Sequence, residues 1–381
     1  MRIKKEVRKI VASVLAFLMV VSLIPVNSLM TKANAASKTT FEGGKTVEDG
    51  TWKGWTWNVF GSSTDVTKAF ATDTGNGGVT LEVTGDKGKI NGSASDQGLN
   101  TFLYELDKSY DFTITAQAKV DTLAANAQAA FGLTIRDNVG AHGNTAKLTA
   151  DKNNFAFVGG YGNQAASGHG NAGYKTTALA HTRLGESPEV GGTYDLAIQK
   201  VGDSVKLYFN GEVAAECSAD DLITDNAMYV GLFAARNAKV TFNNVKLAYT
   251  QDSSSVKVTT NVTAPKKTTY CAGNTYEDVD LTGFKATVSV DGKEREITAS
   301  DCVVDMSNDP FAEVTDAGKL TLLYLGQTIE VPITVIKEVV SDMYIEYMPV
   351  KTDYMVTDTA LDFAGLVGKV VYNSGRTFDL K

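Results

Sequence analysis

The sequence predicts an all-β chain: one large β-sandwich, a smaller β-sandwich after it, and an incomplete copy of the smaller one. Three observations carry this. Apolar and polar residues alternate with a period of two through most of the chain after residue 50, no segment keeps a helical period, and 35 glycines stand against 6 prolines, a composition suited to sheets joined by glycine turns.

The N-terminus reads as an export signal. Arg2, Lys4, Lys5, Arg8 and Lys9 form a basic head, Ile10 to Ile24 is apolar, Pro25 breaks the run, and Ala33-Asn34-Ala35 offers a small-x-small cleavage site. The apolar run is shorter than the roughly twenty residues that span a bilayer, and no later stretch is long enough, so a secreted product without a transmembrane segment is expected. Six of the 36 basic residues and one of the 44 acidic ones lie in residues 1–35, which leaves about −13 on the remainder. An acidic chain with no basic cluster has no footprint for nucleic acid.

Residues 36–250 are predicted to form the large sandwich. Phe112, Ile114, Ala116, Ala118 and Val120 alternate with polar residues, as do Tyr194, Leu196 and Ile198. A Val-Gly-Asp-Ser turn leads to Val205, Leu207 and Phe209, and Asn210-Gly211 is a tight-hairpin signal because both residues tolerate positive φ. Asn243-Asn244 shifts the register between Phe242 and Val245, as a β-bulge does. The polar run Gln251–Ser255 marks a boundary, and residues 251–337 form the second unit. There Phe284, Ala286, Val288 and Val290 share a face, and a hairpin runs from Leu320 through Gly326 to Val335.

Residues 338–381 begin a repeat of that unit. Pro265-Lys-Lys-Thr-Thr-Tyr-Cys271 with Asp280-Leu-Thr-Gly-Phe284 is echoed by Pro349-Val-Lys-Thr-Asp-Tyr-Met355 with Asp362-Phe-Ala-Gly-Leu366. The second copy breaks off at Lys381, so the chain is read as the N-terminal piece of a longer secreted protein, and any surface anchor would lie beyond it. Three cysteines are too few for a disulfide scaffold; Cys271 and Cys302 could pair, or all three could be thiols.

The Lys-x-x-Tyr, Asp-Leu-Thr-Gly-Phe pattern at 267–297 resembles the bacterial Ig-like repeats of secreted and surface proteins, which implies a spacer. Gln128-Ala-Ala-Phe-Gly-Leu-Thr-Ile-Arg136-Asp137, Gly192-Thr-Tyr-Asp-Leu196 and Tyr229-Val-Gly-Leu-Phe-Ala-Ala-Arg236-Asn237 resemble the concanavalin/laminin-G-type jelly rolls that accompany secreted pectate lyases of Gram-positive bacteria. That resemblance implies a jelly-roll fold and extracellular polysaccharide, such as pectin or another plant cell-wall glycan, as partner.

Candidate ligand residues follow. Trp52, Trp55 and Trp57 could stack on sugar rings, with Trp55 and Trp57 on one face of a strand. Arg136 and Arg236 end two strands with similar lead-ins and could grip a uronate carboxylate from an open groove, or make structural ion pairs. Tyr161 and Tyr174 bracket a Gly-rich loop and could add platforms. No catalytic residue is assigned. The paired carboxylates of a sandwich glycosidase have no counterpart, and of the Arg-Glu-Leu, Gln-x-His and Tyr-Phe-Lys strands of sandwich polysaccharide lyases only Tyr208-Phe209-Asn210 echoes one. His142, His169 and His181 are expected in loops. No cofactor is expected, although the loops Asp73 to Asn76, Asp220-Asp221 and Asp305 to Asp309 could offer oxygen to structural calcium.

The reading favoured on these grounds is a non-catalytic carbohydrate-binding and spacer region of a secreted polysaccharide-degrading protein. Two alternatives stay open: a surface adhesin with a glycan- or protein-binding jelly roll, and a jelly roll that is itself a glycan-active enzyme.

Overall fold

In the computed structural model, residues 38–61, 64–90, 97–126, 128–146, 153–162, 164–170, 180–185, 187–356 and 358–380 are described. The predicted export signal lies outside them. The first unit contains β1 (Thr39–Thr40), β2 (Trp55–Phe60), β3 (Ala69–Asp73), β4 (Val79–Val83), β5 (Leu99–Asp107), β6 (Asp111–Leu123), β7 (Ala130–Arg136) and β8 (Phe155–Tyr161). It continues with β9 (Gln164–Gly170), β10 (Ala180–Arg183), β11 (Thr193–Val201), β12 (Ser204–Phe209), β13 (Glu212–Ser218), β14 (Ala227–Ala235) and β15 (Ala238–Thr250).

These strands form two antiparallel sheets facing each other across one core, the layout of a jelly-roll sandwich. One has the order β1-β3-β4-β15-β6-β11-β12-β13, the other β10-β9-β8-β7-β14-β5-β2. The predicted inward set of β6, Phe112 to Val120, meets Phe131, Leu133 and Ile135 of β7 in that core. Alternation works here because successive side chains of a strand point to opposite faces.

The turn chemistry matches its residues. Asn210 and Gly211 join β12 to β13 with φ of 46° and 79°, and the register of β15 slips between Asn243 and Lys246. Gly211 is required twice over, since a Cβ there would also lie 2.7 Å from the carbonyl oxygen of Val304.

The seven-stranded sheet is covered on both faces. Every residue of β7 is buried, because a second apolar layer of Phe60, Leu99, Phe155, Phe157 and Phe233 lies on the side away from the main core.

The second unit contains β16 (Lys257–Thr263), β17 (Thr269–Cys271), β18 (Lys285–Val290), β19 (Lys293–Thr298), β20 (Val303–Asp305), β21 (Thr315–Tyr324) and β22 (Gln327–Ile336). They form sheets of order β16-β18-β19 and β17-β22-β21-β20. Phe284, Ala286, Val288 and Val290 enter their shared core as the alternation predicts. Cys217, Cys271 and Cys302 are all free thiols.

β23 (Val340–Tyr347), β24 (Val367–Tyr372) and β25 (Thr377–Leu380) form a last three-stranded sheet. The repeated motif has the same local geometry in both copies. Lys267 Nζ lies 4.6 Å from the Tyr270 ring and Lys351 Nζ 4.5 Å from the Tyr354 ring. Asp280 N–H donates to Tyr270 Oη at 3.3 Å, and Asp362 N–H to Tyr354 Oη at 2.8 Å. Gly283 and Gly365 then turn the chain at φ of 89° and 83°.

In the last sheet Met343, Ile345, Tyr347, Phe378 and Leu380 are exposed. Exposed apolar side chains on a small open sheet promote association. Static light scattering over a concentration series is expected to show self-association of the full chain, and clearly less after deletion of residues 338–381. Equal scattering by the two would refute this.

The first and second units are joined by more than the chain. Thr115 Oγ1 donates to the Ser300 carbonyl at 2.6 Å, the Leu325 amide to Thr113 Oγ1 at 3.1 Å, and the Met306 amide to the Gly211 carbonyl at 3.0 Å. Ala197 and Tyr208 pack against Val303 and Leu323 beside these bonds. This explains why Thr113 and Thr115, on the outer face of β6, are buried. The Ser-rich run between the units is a capped turn. Asp252 accepts from the Ser254 amide at 3.0 Å, and Gln327 Nε2 donates to the Ser253 carbonyl at 2.9 Å.

Candidate functional site

The three tryptophans are core residues. Trp52, Trp55 and Trp57 are 4%, 6% and 8% exposed, which leaves no face for a sugar ring and corrects the expectation of stacking platforms. Trp55 and Trp57 do share a face of β2, but it is the inner one. Trp55 stacks on Phe102 at 5.3 Å, and Trp52 stands edge-on to both rings at 5.8 and 5.5 Å. Trp57 Nε1 donates to Asn100 Oδ1 at 2.7 Å, and Asn100 Nδ2 donates to the carbonyls of Phe70 and Glu82. One buried amide thus ties β5 to the indole and to two strands of the opposite sheet.

Arg136 lines no open groove either. It is 0% exposed, its guanidinium lying between the rings of Phe155 and Phe60 at 5.0 and 5.6 Å. Nη2 donates to Asn153 Oδ1 at 2.9 Å and Nε to the Asn138 carbonyl at 3.2 Å, while Nη1 has no partner among the described residues. Burial pulls this guanidinium down to about 10 and pushes the adjacent Asp137 carboxyl up to about 6. The physical reason is the second apolar layer, which turns the outer face of β7 into interior.

Arg236 sits in the turn between β14 and β15 with φ of 51° and donates through Nε to the Gly88 carbonyl at 3.1 Å, a structural use of the side chain. Tyr161 is half-buried at the end of β8, 6.2 Å from Phe157. Tyr174 lies outside the described residues. The structure therefore does not gather the predicted ligand residues: the indoles face the main core, and Arg136 the opposite side of the same sheet.

The histidines are also dispersed. His142 Nδ1 accepts from the Val59 amide at 3.2 Å beside Trp57, and burial pulls its pKa down. His169 and His181 lie on the neighbouring strands β9 and β10, at the other edge of the sheet from β2, instead of in loops. Two of the three suggested calcium loops use carboxylates in local turns, and in the third Asp220 lies 4.0 Å from Lys108 Nζ. Asp73 Oδ1 accepts from the Gly75 amide, and Asp305 Oδ1 from the Ser307 amide. No group of three or more His, Cys, Asp or Glu among the described residues could hold a metal ion.

A site that sequence reasoning missed lies where the second unit meets the outer face of the eight-stranded sheet. It is a cleft of about 510 Å³, within the range of small-molecule sites. On the sheet side a row of polar groups crosses neighbouring strands. Asn244 Nδ2 donates to Gln117 Oε1 at 2.9 Å, Gln117 pairs with Asp195 across the ladder, and the Asp195 amide donates to Asn210 Oδ1 at 2.9 Å. Ala197 supplies apolar surface on the sheet side, and Val279 and Leu281 line the cleft from the second unit.

Tyr276, Glu277, Asp280 and Thr282 also line the cleft from the second unit. Tyr276 Oη donates to Asp195 Oδ2 at 2.7 Å, and burial together with Asp195 drives the phenol far above its ordinary range. Hydrogen bonds from Thr282 hold the Asp280 carboxyl below its ordinary value. Cys302 also borders the cleft, but burial pushes its thiol up to about 12, so it carries no thiolate for nucleophilic chemistry. The cleft thus offers hydroxyl-matching donors and acceptors beside a few apolar atoms.

Tyr276→Phe is expected to weaken the joint between the units by about 1.5–3 kcal/mol, the worth of a hydrogen bond to a charged group. Thermal unfolding should then move toward two separate transitions. An unchanged single transition would show that this bond does not couple the units.

No family model matches the chain. Over 327 residues, 84% of this chain, it is 29% identical to a protein named pectate lyase L of Thermoclostridium stercorarium, of which the match covers 24%. The chain thus spans about a quarter of that relative's length. Among solved structures it is similar to a carbohydrate-binding module, CBM66, of Bacillus subtilis, at 16% identity and a TM-score of 0.31, covering 56% of this chain and 96% of the module. Lectin II of Ulex europaeus, at 10% identity and a TM-score of 0.33, covers 56% of this chain and 96% of its own.

Proposed function

We propose that the chain is a secreted, non-catalytic carbohydrate-binding and spacer region of a protein that degrades extracellular polysaccharide, pectate-lyase chemistry residing outside it. The observation that carries the reading is the 29% identity along 84% of the chain to a protein named pectate lyase, of whose length the match takes only 24%. Most of that relative, and room for its catalytic body, lies outside the matched part. On this reading the sandwich holds wall glycan, and the smaller unit, resembling a bacterial Ig-like repeat, places the neighbouring region. Its attraction to polysaccharide acts by raising local concentration, so individually weak binding suffices.

The test is incubation of the purified chain with insoluble plant cell-wall material and, separately, with polygalacturonate. Retention on the wall material without release of unsaturated product is expected. Steady product formation would overturn the non-catalytic part of the reading, and failure to be retained would overturn the binding part.

A further inference from the structure

Taking the carbohydrate-binding reading as its basis, we infer that the cleft between the sandwich and the second unit is the glycan site, and that it takes a neutral, hydroxyl-rich polysaccharide and not a polyuronate. The argument begins with shape. Asn244, Gln117, Asp195 and Asn210 form a row perpendicular to the strands of the eight-stranded sheet. With strands about 4.8 Å apart, three gaps make a row of roughly 14 Å, long enough for a short stretch of sugar chain. Amide and carboxylate groups in such a row can each meet a hydroxyl as donor or acceptor.

Charge then selects the ligand. Asp195, Glu277 and Asp280 line the cleft, and among the described residues no Lys or Arg does, the nearest cations, Lys266 and Lys267, standing outside it beside Asp280. A uronate carboxylate placed there would meet like charge with no guanidinium or ammonium in the lining to grip it, whereas a neutral sugar can donate hydroxyl hydrogens to the same carboxylates. Neither arginine suggested for a uronate is there: Arg136 is buried and Arg236 donates to the Gly88 carbonyl, both outside the cleft. Apolar atoms of Ala197, Val279 and Leu281 complete the lining, suited to the C–H faces of sugar rings.

The test is affinity electrophoresis of the full chain through gels containing a neutral wall-matrix glycan (arabinan, galactan or xyloglucan) or polygalacturonate. Variants Gln117→Ala and Glu277→Lys are run beside it, after thermal unfolding has shown that they fold. Retardation by at least one neutral glycan is expected, weakened about tenfold in Gln117→Ala, the scale of one lost hydrogen bond. Polygalacturonate should retard the parent chain little and Glu277→Lys more. Neutral-glycan binding unchanged in both variants would overturn the cleft assignment and leave the carbohydrate reading standing. Binding to polygalacturonate alone would overturn the charge argument. Binding to none of the glycans would overturn the carbohydrate reading itself.

Discussion

Trp55→Ala is expected to destabilise the first sandwich by about 3–5 kcal/mol, the cost of emptying a large aromatic site in a packed core. The indole stacks on Phe102 and touches Trp52 and Tyr104, so its removal leaves three rings without their partner. Nor can the gap relax easily. Gly231 on β14 has its α-carbon beneath the indole, and a Cβ there would meet Trp55 at 2.9 Å. Since whole domains have only about 5–15 kcal/mol of net stability, this single change approaches the unfolding threshold. Denaturant unfolding followed by tryptophan fluorescence measures it. A loss under about 1 kcal/mol would mean that the site is far more plastic than the packing implies.

The second large effect is a dependence of stability on pH between about 4 and 6, set by Asp137. Its carboxyl is raised to about 6, chiefly by burial, against 3.8 for an exposed aspartate. In that window the native state still holds the proton that the unfolded chain has released. The contribution of Asp137 therefore falls by roughly 3 kcal/mol as pH rises through the window and is constant above it, while His142, lowered by burial, contributes a slope of opposite sign below pH 6.5. Exposed carboxylates whose pKa values are lowered, such as Asp65, Asp203 and Asp280, act in the opposite sense and below that range. Asp137→Asn keeps an acceptor for the Asn154 amide and should flatten the profile. Persistence of the slope in Asp137→Asn would assign it to another group.

The strands were legible in sequence because one face of each had to be apolar for the sandwich to close. The Phe112 to Val120 alternation, the Asn210-Gly211 turn and the Asn243-Asn244 register shift all stand in the structure. Alternation could say that Trp55 and Trp57 share a face, but not whether that face looks inward, because indoles suit cores and sugar platforms equally. For Arg136 a signal was present. Ala130-Phe-Gly-Leu-Thr-Ile135 has no charged residue, the mark of a strand covered on both faces, and this argued against an open groove beside it. The cleft had no local signal. Its two walls come from residues 115–117, 193–211 and 244 on one side and residues 276–304 on the other, and only tertiary contact brings them together.

The capped turn at Ser253–Ser255 has a mechanical consequence. A serine-rich connector is normally a random coil whose ends wander, diluting whatever it carries as about the 3/2 power of its length. Here Thr250 bonds to Asp291 across the two units, and Gln327 bonds to Ser253 and so pins the turn itself to the second unit. The pair then behaves as a strut: the second unit keeps one orientation on the sandwich instead of swinging about its connector.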